Sequence, residues 1–450
     1  MPIAPGLSNC HAALLLALLP LLPAGSAPAE VADDLHYRVK VRIDPASHRL
    51  EAEVWVQRPP AMTFYLHEGL TVREVEVDGK AGAFTRSGPA DRLPYLPEGT
   101  SVTISGAGCR EFHLKYDGEI SGVIFGCNLV APELVELAVY TGWYPVFAGL
   151  RDFTFALEAD LPTGYLTTTN GARKSLKEGE RRAVSVWESY APGFDLVLLA
   201  SPRLRRLEGE DGGTRVEMYY SEFPAEFARN RVAKLSKALA RLTDLYGSLK
   251  VRGVLRLVYS PRLGQGYMRM PLVVISEERA RESLQSEFGD ARRFRDEVHE
   301  IAHFWWALAD SATPDDWINE GLAEYSAFRL SEEEYGKAFA DHRLEEYRQN
   351  ARGSQTADAI AETEGSSPDR EVNRYDKATL MLLEARSHFG EAPLDRALKH
   401  LFARFHGTHR VTTAIFLGEV RRRIGAEPEA FFREFLYRKS AIRQPAPADQ

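Results

Sequence analysis

The sequence predicts an α+β protein: an N-terminal antiparallel β-sandwich followed by a mostly helical domain. Three observations carry that expectation. Apolar residues alternate with polar ones through most of residues 35–207, the signature of strands with one buried face. After Ser221 the spacing changes to three and four, the period of an amphipathic helix. A histidine pair four residues apart then sits in a helix that is apolar almost all round, which predicts burial.

Residues 1–29 contain no Asp, Glu, Lys or Arg, and Ala12 to Leu22 is an apolar run. Ala27-Pro28-Ala29 then reads as a small-residue cleavage site, so residues 1–29 are expected to be a signal peptide and the protein to be exported. The run is too short to span about 30 Å of hydrocarbon and is interrupted by Pro20 and Pro23. No other stretch approaches membrane-spanning length.

The first folded domain is expected over residues 30–207. Tyr37, Val39, Val41 and Ile43 alternate, as do Leu50, Ala52, Val54 and Val56, and then Phe153, Phe155 and Leu157. Asp78-Gly79, Asp117-Gly118 and Asn170-Gly171 are tight-turn signals. Many short strands between turn residues suggest an antiparallel sandwich.

The second domain is expected over residues 208–450. Leu235, Leu239, Leu242 and Tyr246 recur at helical spacing, with Gly247 as the stop. A strand follows at 254–259, then Gly266-Tyr267-Met268-Arg269-Met270 and an apolar run to Ile275. Ser331 with Glu334 predicts a capping box opening a helix to about Asn350. Residues 351–373 are polar and predict a surface loop. Helices resume near Tyr375, Leu394 and Thr413, and Phe431, Phe432, Phe435 and Leu436 suggest a short final one.

Composition excludes more than it selects. A hydrophobic content of 44% and a charged content of 27% over 450 residues are those of an ordinary globular chain. A net charge of −8 argues against a nucleic-acid partner, which favours a basic footprint. Of the three cysteines, Cys10 falls in the expected signal. Cys109 and Cys127 then remain, either as a disulfide in an oxidising compartment or as two buried thiols.

His299-Glu300-Ile301-Ala302-His303 is the stretch that specifies a chemistry. Residues four apart share a helix face, so the two imidazoles can converge on one cation. Glu300 lies about 100° round the helix, beside that cation rather than on it, where it can take a proton from an activated water. Glu320, separated from His303 by sixteen residues, is the best candidate third ligand, because the Pro314 loop allows a turn and a return helix. Two imidazoles and a carboxylate form a His₂Glu set of the kind that holds catalytic Zn²⁺. Glu324, one turn after Glu320, can accept the second N–H of a ligating histidine.

His299-Glu-x-x-His303 with Asn319-Glu320-Gly321 resembles the gluzincin metallopeptidases of the aminopeptidase N and leukotriene hydrolase family. That family has eighteen residues between the second His and the Glu; here there are sixteen, and the difference falls in the Pro-containing loop. The resemblance implies a thermolysin-like catalytic domain, one Zn²⁺ held by His299, His303 and Glu320, and Glu300 as the base. It extends loosely to the β domain through Trp143-Tyr144-Pro145. Tyr375-Asp376-Lys377-Ala378 matches the family's Tyr-x-Lys-Gly, with Ala in place of Gly, and implies Tyr375 as donor to the oxyanion. Gly266 and Met268 match the family's Gly-x-Met-Glu-Asn strand. Its Glu, which holds the substrate's free amino group, is replaced by Arg269, and its Asn by Met270.

The expectation is therefore a peptidase that binds extended peptides along this strand. Two like charges near 4 Å repel by about 4 kcal/mol at an effective dielectric of 20, so Arg269 disfavours a free α-amine and suits a carboxylate. The alternatives are a zinc-stabilised peptide-binding module without turnover, or hydrolysis of a non-peptide substrate.

Overall fold

The computed structural model describes residues 35–439 apart from 89–95, 97–98, 107, 125–126, 150, 212–213, 250–253 and 264–265. The leader expected at 1–29 lies outside the described residues.

Alternation in the first strand, His36–Asp44, buries Tyr37, Val39, Val41 and Ile43 and leaves Arg38, Lys40 and Arg42 outside. This strand is central in an eight-stranded sheet. It pairs antiparallel with Arg49–Gln57 on one side and parallel with Thr154–Pro162 on the other. The expectation of a purely antiparallel domain is thereby corrected: the sheet is mixed. Alternation reports which face is buried, but strand direction is set by a partner more than 100 residues away. The inner face shares one core with Phe64 and Leu66, and with Val102 and Ile104, all from a separate three-stranded sheet. Cys109 is half-buried and Cys127 buried, and both are free thiols, which decides between the two alternatives for this pair.

A five-stranded sheet follows, in the order Arg205–Asp211, Thr214–Tyr220, Val254–Ser260, Leu272–Ser276, Tyr267–Arg269. Its first member starts at Arg205, so the crossing between sheets comes slightly before residue 207. The edge strand Tyr267–Arg269 has one neighbour, the antiparallel Leu272–Ser276.

The rest is helical. The helices are α1 (Ala225–Tyr246), α2 (Glu277–Leu284), α3 (Gly289–Ala302), α4 (Trp317–Tyr335) and α5 (Lys337–Arg352), then α6 (Ala378–Phe389), α7 (Glu391–Phe405), α8 (Thr413–Arg423) and α9 (Ala426–Tyr437). Gly247 ends α1 at φ 105°, a backbone conformation that glycine adopts without strain. One core joins Val298 and Ile301 of α3 to Ile318, Leu322 and Ala323 of α4 and to Met381 and Leu382 of α6. Among the described residues, no helix is long and apolar enough to cross a membrane.

Two local expectations fail. Ser331 does not cap a helix: α4 runs through it, and its hydroxyl donates to the Ala327 carbonyl at 2.7 Å. The break falls at Gly336, φ 79°, because a hydroxyl can serve the turn before it as well as a cap. Residues 351–373 are not simply a surface loop either. Ala359, Thr363, Asp369 and Asn373 are buried, and the Asp369 carboxylate accepts from the backbone N–H groups of Gln355 and Thr356 at 2.8 and 2.5 Å. Polar residues can be interior when they supply each other's hydrogen bonds.

Candidate metal centre and active site

Helix α3 buries the apolar residues beside its histidines, which fixes its rotation. His299 and His303, its last turn and C-cap, therefore project together towards α4. The chain returns through a Pro314 turn capped by the Thr313 hydroxyl, which accepts from Asp315 N–H. Asn319 closes that return. Its Oδ1 accepts from the N–H groups of Leu308 and Ala309 at 2.9 Å each, and its Nδ2 donates to the Ala309 carbonyl at 3.1 Å. The next residue, Glu320, comes to lie beneath both imidazoles.

Three atoms then converge. His299 Nε2 and His303 Nε2 are 3.2 Å apart, and Glu320 Oε2 is 3.4 Å from the first and 3.3 Å from the second. A tetrahedral site with bonds of ~2.0–2.1 Å has its ligand atoms roughly 3.3–3.4 Å apart, so this triangle fits one face of such a site. Glu320 Oε2 is buried without a hydrogen-bond partner, as expected of an atom whose partner is an ion. His299, His303 and Glu320 form the one cation-holding group of this type among the described residues.

The electrostatics favour positive charge here. Burial opposes protonation of His299, yet the neighbouring Glu320 and Glu324 carboxylates raise its pKa to about 10. The His303 imidazole is raised too, by Glu320 against burial. Burial opposes ionisation of Glu320, but His303 and His299 outweigh it and hold its carboxyl far below the usual range. A field that draws protons to both rings also draws a divalent cation.

Around these residues lies a support that the sequence signalled only in part. His299 Nδ1 and Glu324 Oε2 are 2.9 Å apart, as expected for a carboxylate that sets the ring's tautomer. Arg295 and Tyr347 also bond Glu324, and Arg343 Nη2 reaches it at 3.1 Å. Arg295 comes from α3, while Arg343 and Tyr347 come from one face of α5, so only the fold brings them to Glu324. Arg374, fully buried, joins Asp316 at 2.6 Å and the Thr313 carbonyl at 3.0 Å, tying the Tyr375 segment to the start of α4. Gly321 permits that contact: a Cβ there would lie 2.6 Å from Ala378 Cβ.

Tyr375 lies in a single π-helical stretch, Val372–Lys377, a rare element found often at functional sites. Its ring stacks on His299 with centroids 5.5 Å apart and planes 18° apart. Burial pushes its hydroxyl pKa well up, and the neighbouring Glu320 carboxylate adds to this, so the phenol stays protonated and able to donate. Glu300 is 7% exposed, and its Oε2 has no partner. Burial raises its carboxyl pKa, while His299 and His303 oppose that rise. A raised carboxyl is suited to accept and return a proton near neutrality.

A cavity of about 360 Å³ adjoins the triad and is lined by His299, Glu300, Tyr375 and Gly266, with α2, α3 and α5 around them. Of the strand residues expected to meet substrate, Gly266 lines it, but Met268 and Arg269 do not. Arg269 is corrected most. It is 4% exposed, and its guanidinium is fully engaged: Nε with Asp195 at 2.7 Å, Nη2 with the Tyr140 hydroxyl at 2.9 Å and Nη1 with the Met268 carbonyl at 2.7 Å. Its partner Asp195 lies 74 residues earlier in the chain, which local sequence could not reveal. The charge expected to face substrate is matched inside the protein.

Comparison with solved structures finds this fold in zinc peptidases. The M1 zinc metallopeptidase of Deinococcus radiodurans superposes with a TM-score of 0.68 at 17% identity, over 93% of this chain and 96% of that one. A mutant of that protein bound to a Tyr-Ser-Ala substrate superposes equally well, at 18% identity, over 92% and 96%. Native yeast LTA4 hydrolase gives 0.66 at 14% identity, over 95% of this chain and 73% of its own. Neither a family model nor a curated protein matches the sequence. The chain thus has the fold of M1 zinc metallopeptidases.

Proposed function

We propose that this protein is a zinc metallopeptidase that hydrolyses peptide bonds. The observation that carries the reading is the triangle of His299 Nε2, His303 Nε2 and Glu320 Oε2, with edges of 3.2 to 3.4 Å. Zn²⁺ held there would supply Lewis-acid polarisation of a carbonyl and of a water molecule. Glu300 takes the proton of the attacking water and returns it to the leaving amine. Tyr375 donates its O–H to the oxygen on which negative charge develops, the step in which a preorganised donor contributes most. The backbone of the edge strand Tyr267–Arg269 supports an extended peptide through main-chain hydrogen bonds. The charge-free residues 1–29 support export of the enzyme.

The scaffold is aminopeptidase-like, but position 269 lacks the acid that would hold a free α-amine. Because Asp195 neutralises Arg269, weak selection for an amine follows from the missing acid, not from repulsion by the guanidinium. Simple amino-acid amides are therefore expected to be poor substrates.

Three measurements test this. Metal analysis of the purified protein should give one zinc per chain. Glu300→Gln should keep that zinc while losing several orders of magnitude of turnover on a peptide-library digest. Fluorogenic peptides with free and blocked N-termini should be cut at similar rates; a strong requirement for the free amine would refute the reading of position 269. Tight peptide binding without turnover by the wild-type protein would favour a binding module instead.

A further inference from the structure

The cavity beside the triad runs back along α3 towards its N-terminal half, and that wall is rich in arginine. Arg279, Arg292, Arg293, Arg295 and Arg343 line it. Away from Glu300 and Glu324, three acids face them: Glu282, Asp296 and Glu346. Most of these guanidiniums are spoken for. Arg292 pairs with Glu346 at 2.5 Å, Arg343 with Glu346 at 3.0 Å and with Glu324 at 3.1 Å, and Arg295 pairs with Glu324 and Asp296.

Arg293 is different. It is 6% exposed, and its Nε is buried without a hydrogen-bond partner among the described residues. Its nearest acids are Asp296 at 3.2 Å, which Arg295 also holds, and Glu297 at 3.9 Å, beyond hydrogen-bond reach. A buried guanidinium with donors to spare is a strong site for a planar, bidentate anion. Arg293 precedes Glu300 by seven residues, two helical turns, so both lie on one face about 10.5 Å apart along the axis. An extended peptide covers that distance in about three residues of ~3.3 Å each.

We propose that Arg293 is a specificity-determining residue that receives a substrate carboxylate within about three residues of the scissile bond. The carboxylate is either an Asp or Glu side chain or a C-terminus. A cation held by the triad would add positive charge beside the same cavity. This inference rests on the peptidase reading and states which peptides that site takes.

The test uses peptides that differ only by Glu against Gln near the cleaved bond, and by free against amidated C-termini. The wild-type protein should favour the acidic member of one pair by roughly 10- to 100-fold in kcat/KM, the size expected of a hydrogen bond to a charged group. In Arg293→Gln the ratio should fall to within about threefold of unity, and Arg293→Lys should restore part of it. The pair that responds distinguishes a side chain from a terminus. Calorimetric titration of the same peptides into Glu300→Gln, with and without Arg293→Gln, reads binding apart from turnover. Charge-selective binding that depends on Arg293, without cleavage by the wild-type protein, would keep this inference and overturn the peptidase reading. Cleavage without charge preference, or a preference that survives Arg293→Gln in a protein of unchanged melting temperature, would overturn this inference alone. Absence of both binding and cleavage would overturn both.

Discussion

His299 Nδ1 lies 2.9 Å from Glu324 Oε2, so the face of the ring that meets α4 and the face that meets His303 are set by one carboxylate. Burial opposes ionisation of Glu324, but Arg295, His299 and Arg343 outweigh it and hold its carboxyl well below the usual range. Glu324→Gln keeps the shape and removes the charge. It is expected to weaken zinc binding by roughly 10- to 100-fold, the usual effect of losing such a partner. Competition titration with a chelating dye measures it. An unchanged affinity would mean that the ring is oriented by packing on Tyr375 alone.

Gly321 and Ala378 bring α4 against the segment that carries Tyr375. Gly321→Ala would put two methyl groups 2.6 Å apart. Overpacking of this kind costs about 1–3 kcal/mol. It should also lower kcat more than zinc affinity, because Tyr375 moves while the ligands stay. Thermal melts, zinc stoichiometry and kcat on one peptide separate these effects.

Arg269 and Asp195, 74 residues apart in the chain, form a buried pair, 4% and 0% exposed at the side chain. Removing one member of such a pair strands a buried charge, at about 3–5 kcal/mol. Arg269→Met is expected to destabilise the protein by that order, and the double variant with Asp195→Asn by less. Denaturant unfolding gives both values. If Arg269→Met instead leaves stability unchanged and alters only substrate preference, the guanidinium faces substrate after all.

Asp376 follows Tyr375 and is buried with Asn350 Nδ2 at 3.1 Å from its Oδ1. Burial raises its pKa from 3.8 to about 7, against the pull of Arg343. The folded state therefore holds this proton more tightly than the unfolded chain. Its contribution is full below pH 4 and is lost as pH rises through about 7. Asp376→Asn should consequently stabilise the protein at pH 8 relative to wild type and do little at pH 4. Melting temperatures across that range check the sign.

Much of the site could be read from residue order because its chemistry is local. His299, Glu300 and His303 occupy one turn and a half of helix, and their directions follow from 3.6 residues per turn. Asn319-Glu320-Gly321 is likewise a single turn. The alternation of His36–Asp44 states which side is buried for the same reason: its period is two residues.

Other features depend on partners remote in the chain. The parallel neighbour of His36–Asp44 starts at Thr154, and the acid that silences Arg269 is Asp195, 74 residues away in the chain. Arg293 stands apart from Arg292, Arg295 and Arg343 in the cavity wall because acids on α3, α4 and α5 are placed to hold those three. Local order sets helix faces and buried stripes, since those arise from backbone periodicity. Tertiary packing decides which charges remain unmatched, since a charge is answered by whatever the fold brings within a few ångströms of it.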